Sequence, residues 1–181
     1  MENIWIPRLD CARIFSIILA WDQKGEFQGK SLYFFQGEVK LVKIDFFLRY
    51  PEKTKQLLKI RYDQLKLEGK NDVNTLNFEI PMEKWLRGPW DRNYYDSFAY
   101  ARSLDFLIIN AAGSKAWEFY LTQKGEKFTN DLIETDATVK AYFKRAKFLK
   151  LLFGSFSGRE MELFIKDNET AIKDAELRSI I

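Results

Sequence analysis

Asp22 and the run Glu38-Val39-Lys40 are the residues best suited, by type and spacing, to metal-dependent phosphodiester chemistry. In restriction-type nucleases an Asp…Glu-x-Lys arrangement holds two carboxylates on adjacent strands around Mg²⁺, with the lysine at the attacked phosphate. Here Asp22 closes one amphipathic helical pattern and Glu38 opens another, and short patterns of this kind recur by chance. They read as helix-end residues. The rest of the inventory offers little chemistry. The chain has no histidine, which removes Ser-His-Asp and Cys-His nucleophiles and imidazole zinc sites. A single cysteine, Cys11, excludes an internal disulfide and a thiolate zinc site. On an apolar helix face it reads as a small core residue. There is no glycine-rich phosphate loop. No catalytic residue, metal ligand or cofactor is expected.

Charge and aromatic content suggest binding instead. Residues 39 to 70 carry nine Lys/Arg against Asp45, Glu52, Asp63 and Glu68. Within them Lys55, Lys59 and Lys66 fall on one helical face, and Lys140, Lys144 and Lys147 form a second row at helical spacing. An ordinary solvated face explains either row; the functional reading is non-specific contact with DNA phosphate. Aromatics make up 16% of the chain, a high share, and most must be core: Phe15, Phe47, Phe98, Phe128 and Phe143 fall on inward faces. Trp85, Trp90, Tyr94 and Tyr95 cluster instead around a turn-rich elbow at Gly88-Pro89, where burying all four is hard, so they are candidate protein-interface residues.

These residues have to be positioned by a mainly helical chain. A first helix follows Asp10, with Ile14, Phe15, Ile18 and Trp21 near one face. Leu32-Tyr33-Phe34-Phe35 fits either a short strand or an extended connection. A second helix spans Glu38 to Tyr50, burying Val39, Val42, Phe46 and Phe47 with Lys40 and Lys43 in water. Pro51 suits the first position of a third helix. Gly69 to Thr75 is the most polar interval, and Leu76–Ile80 alternates as a short strand before the elbow of Met82 to Asp91. From Arg92 to Glu134 the pattern reads as one unit: a helix to Ser103, the strand Phe106–Ile109, a turn with Gly113, and a second strand. That strand places Trp117, Phe119 and Leu121 inward and Glu118 and Tyr120 outward. Thr122 then caps a new helix whose first turn approaches the strand at Gly125. This is a winged-helix signature. A helix from Asp136 to Phe153 presents Tyr142, Phe143, Ala146 and Leu149 inward. Ser157-Gly158-Arg159-Glu160 is a capping box that opens a last helix with Met161, Phe164 and Ile165 inward.

Three separated motifs resemble one known family. They are Lys43-Ile44-Asp45-Phe46-Phe47-Leu48-Arg49-Tyr50-Pro51, then Gly88-Pro89-Trp90-Asp91-Arg92-Asn93-Tyr94-Tyr95, then Leu121-Thr122-Gln123-Lys124-Gly125. In order and spacing they are similar to the small winged-helix middle component of bacterial ABC three-component conflict systems, of which the Lamassu anti-phage systems are the type. The resemblance spans residues 9 to 165. It implies a subunit that joins an SMC-like coiled-coil ATPase to an effector, often a nuclease.

The expected fold class is mainly α with a small β wing: a winged-helix domain with additional N- and C-terminal helices. The expected parts are 1–68 (N-terminal helices), 69–91 (connection and elbow), 92–135 (winged-helix unit) and 136–181 (C-terminal helices and tail), together one compact domain. The helix from Asp91 to Asp105 has three Asp against Arg92 and Arg102, and the wing tip offers Lys115. This argues against sequence-specific reading of a major groove. The expected function is therefore a non-enzymatic adaptor in an anti-phage complex. Its partners would be the ATPase, the effector nuclease and, non-specifically, double-stranded DNA. The alternative is a winged-helix transcription regulator. No apolar run reaches the roughly 18 residues of a membrane span. The first residues lack the basic region of a signal peptide, and a lone cysteine fits a reducing compartment, so the expected location is the cytoplasm.

Overall fold

The computed structural model describes residues 7–50, 54, 83–85, 88–90, 93–111, 116–167 and 178–179, with the backbone alone at 7, 8, 83–85, 88–90 and 178–179. Helix α1 (Pro7–Trp21) lies at the centre, against four other helices of the bundle and the inner face of a sheet. Every residue from Asp10 to Trp21 is buried. A hairpin follows, β1 (Lys24–Phe27) and β2 (Lys30–Gln36). Its turn residues Gln28 and Gly29 have φ of 50° and 75°. Two positive φ angles in succession make the turn whose twist matches paired strands. The segment Leu32–Phe35, open between strand and connection in the sequence, is thus a strand.

Helix α2 (Glu38–Arg49) is buried from Leu41 through Arg49 without a break. Both helices were expected to be amphipathic, and Lys43 was expected in water; it is 2% exposed. The difference has a physical cause. A helix can be buried all round if its polar side chains meet charged partners on neighbouring helices instead of solvent. Thr54 donates to the Phe47 and Tyr50 carbonyls just past the helix end. The rest of the third helix expected from Pro51, the polar interval Gly69–Thr75 and the strand Leu76–Ile80 lie outside the described residues.

Strands β3 (Glu83–Trp85) and β4 (Gly88–Trp90) form a hairpin that pairs Trp85 with Gly88 and Lys84 with Pro89. Gly88-Pro89, read as a sharp turn, is therefore part of a strand. Next come helix α3 (Tyr94–Ser103), strand β5 (Leu107–Asn110) and strand β6 (Glu118–Leu121). The turn between the strands, with Gly113 and Lys115, lies outside the described residues. β6 pairs on its other edge with β2, giving an antiparallel sheet in the order β1-β2-β6-β5. The expected two-stranded wing is thus half of a four-stranded sheet. Phe119 and Leu121 are fully buried on the core face. Tyr120 is on the opposite face as expected, yet only 5% exposed, because Phe27 and Phe34 cover its ring at 5.2 and 5.6 Å.

Helix α4 (Gln123–Thr135) starts where its cap dictates: the Gly125 amide donates to Thr122 Oγ1 at 3.0 Å. A Cβ at position 125 would collide with the Phe106 carbonyl oxygen, so only glycine permits this approach of helix to strand entry. Asp136 caps helix α5 (Ala137–Phe153) through the amides of Thr138 and Val139. The Ser157–Glu160 box opens helix α6 (Gly158–Asp167) with both reciprocal bonds formed, and Met161 and Ile165 point inward. A short strand β7 (Arg178–Ser179) runs parallel to β3. Among the described residues the fold is mainly helical, with a small four-stranded antiparallel sheet and a three-stranded sheet in the order β4-β3-β7. Among the described residues no helix is long and apolar enough to cross a membrane.

Candidate functional site

Two arrangements of polar groups stand out. One is buried at the junction of α1, α2 and α3; the other opens to solvent along α5. In the first, Asp45 Oδ1 accepts from Arg13 Nε at 3.0 Å, and Oδ2 accepts from Arg49 Nε at 2.9 Å and from the Tyr94 hydroxyl at 2.5 Å. Arg13 also binds Asp10 Oδ1 at 2.5 Å, and the Ser97 hydroxyl donates to Asp10 Oδ2. Arg145 of α5 donates to the Leu48 carbonyl at 2.6 Å. Burial works against the Asp45 charge, but Arg13, Arg49 and the Tyr94 hydroxyl outweigh it and hold its carboxyl below the ordinary range. Burial and the facing Asp45 carboxylate push the Tyr94 hydroxyl well up, so it stays a donor.

This network fastens three helices in one register. Buried charge costs desolvation, and what it gives in return is specificity: a carboxylate placed here needs its guanidinium partners in place. Sequence reading missed it. The available signal was an Asp–Arg pair three apart on α1 and another four apart on α2, both inside apolar helical runs.

The interface candidates divide accordingly. Tyr94 is 1% exposed and belongs to the buried network, which removes it from any free surface. Tyr95, its chain neighbour, points the other way at 52% exposure, with Trp117 edge-on to its ring at 6.4 Å. The side chains of Trp85 and Trp90 lie outside the described residues, as do Lys55, Lys59 and Lys66.

Lys140, Lys144 and Lys147 are all exposed on α5, as their spacing implied. The structure adds what sequence did not: Lys144 and Lys147 border a cleft of about 600 Å³, with Lys150 continuing the row. Its apolar lining comes from Leu19 at the end of α1, Tyr33 of β2, and Phe143, Phe148 and Leu151 of α5. Phe143, expected inward, is only half-buried because it forms this wall. Asp22 is the one carboxylate of the lining, held at φ 52° just beyond α1. Two aromatic faces here carry ammonium groups. Lys147 Nζ lies 4.5 Å from the Phe143 ring centre, and Lys24 Nζ 3.4 Å from that of Tyr33.

The nuclease-like residues point to separate tasks. Lys40 Nζ donates to the Gly154 carbonyl at 2.9 Å, tying α2 to the end of α5. Burial raises the Glu38 carboxyl, opposed by a hydrogen bond from Tyr95. Asp22 faces the lysine cleft. Among the described residues no group of three or more metal-binding side chains converges. Cys11 is 3% exposed; burial, then the adjacent Asp10, pushes its thiol up to about 12.

Compared with protein-family profiles, characterised proteins and solved structures, the chain shows no match.

Proposed function

We propose that this chain is a non-enzymatic adaptor subunit of the Lamassu type, a winged-helix middle component that links an SMC-like ATPase to an effector nuclease. The observation that supports it is the joining in space of two of the three motifs, which are remote in sequence: Asp45 of the first accepts from Tyr94 of the second. Thr122 of the third caps α4 locally, at the Gly125 amide. Residues that carry a family resemblance and also bond to one another behave as a shared scaffold. In the winged-helix reading, α3 and α4 flank β5–β6, and the β1–β2 hairpin extends the wing.

The surface suits an adaptor better than a reader of DNA sequence. Helix α3 exposes Tyr95, Asp96 and Arg102, which is not the positive face a major groove selects. Lys140, exposed on α5 and outside the lining of the cleft, suits weak contact with phosphate. Co-expression with the products of the two flanking genes tests the reading: a stable complex with a coiled-coil ATPase and an effector is expected. Binding to one duplex about a thousandfold tighter than to random DNA would favour the transcription regulator instead.

A further inference from the structure

We propose that the cleft along α5 is a docking site for an acidic, leucine-bearing helix of a partner protein; this deepens the adaptor reading and rests on it. Three observations point to that occupant. The first is charge. Lys144, Lys147 and Lys150 border the cleft and Lys24 stands at its Tyr33 end, against Asp22 as the one carboxylate of the lining. Successive lysines of this α5 set are three residues apart, about 4.5 Å of rise, the spacing at which neighbouring carboxylates sit at i and i+3 on a second helix.

The second observation is the apolar surface between the lysines. Leu151 is 57% exposed, beside Phe143 and Phe148, and a hydrated phosphate backbone would gain nothing from covering it. A partner side chain such as leucine would. The third is the state of the rings. Lys147 stands over Phe143 and Lys24 over Tyr33, so the ring faces beneath those ammonium groups are not open to a stacking base. The same ammonium groups sit where carboxylates of an incoming helix would meet them.

The test uses the full chain and a labelled helical peptide of glutamate and leucine about 18 residues long, enough to hold helix in solution. Fluorescence anisotropy should show binding that Leu151→Asp and Lys147→Glu each weaken about tenfold or more, with the melting temperature unchanged. A control peptide with serine for leucine should bind correspondingly less. Equal binding of the serine control, or indifference to Leu151→Asp, overturns the proposal. So does preference for duplex DNA, single-stranded DNA or phosphatidylserine vesicles over the peptide. Pull-down with the flanking gene products separates the two readings. A wild-type complex that survives Leu151→Asp unchanged removes the cleft from docking and leaves the adaptor standing. A wild-type chain that captures neither product sinks the adaptor, while the peptide titration still decides the cleft.

Discussion

The Tyr94 hydroxyl donates to Asp45 Oδ2 at 2.5 Å, joining residues 49 positions apart and locking α3 onto α2. Asp45 is fully buried and also receives Arg13 and Arg49, so one carboxylate holds three helices together.

Removing that carboxylate leaves two buried guanidiniums short of a counter-ion. Asp45→Ala is expected to lose about 3–5 kcal/mol of stability, the usual cost of breaking a buried pair on one side. Tyr94→Phe removes one hydrogen bond to a charged group and should cost about 1.5–3 kcal/mol. Urea unfolding of both variants checks the order; equal and small effects would mean the network does not hold the helices.

Acid should expose the same group. The folded-state Asp45 carboxyl is held below its unfolded value, so its contribution is complete above the ordinary carboxylate range and is lost as pH falls through the folded value. Glu38, raised by burial, has the opposite sign: its contribution is present below its unfolded value and fades as pH rises through the folded one. Stability measured from neutral pH downward should therefore fall less steeply in Asp45→Asn than in wild type. Identical slopes would contradict this.

The start of α4 can be dissected by two substitutions. Gly125→Ala drives a methyl into the Phe106 carbonyl and should cost about 1–3 kcal/mol through overpacking. Thr122→Ala loses the cap, at about 1 kcal/mol. Thermal melting ranks them, and a neutral Gly125→Ala would show that helix and strand entry separate readily.

Cys11 should resist maleimide in the native protein and react once denaturant opens the core, because its thiol is buried and pushed up to about 12. Fast labelling under native conditions, followed by mass spectrometry, would place α1 nearer the surface than it is here.

Trp90 gives a further test of the adaptor surface. As a docking residue, Trp90→Ala should weaken complex formation by about 2 kcal/mol or more with melting unchanged. As a core residue it should lower stability by about 3–5 kcal/mol. Melting temperature and pull-down yield together distinguish the two.

The sequence by itself determined what depends on near neighbours. Thr122, Asp136 and the Ser157–Glu160 box set three helix starts, because a cap bonds to amides two or three residues away. The lysine row of α5 was legible for the same reason, since helical spacing fixes which side chains share a face. The tertiary structure alone decided which charges are buried. Lys43, Asp45 and Arg49 are all buried on α2, and groups from α1 and α3 surround Asp45 and Arg49. The same holds for Tyr120, covered only because β2 joins β6, and for the cleft, whose walls come from four elements remote in sequence. Burial of a polar group is a property of what faces it, and a facing group 30 to 90 residues away leaves no local mark, as in the Arg13–Asp45 and Cys11–Ser97 contacts with separations of 32 and 86.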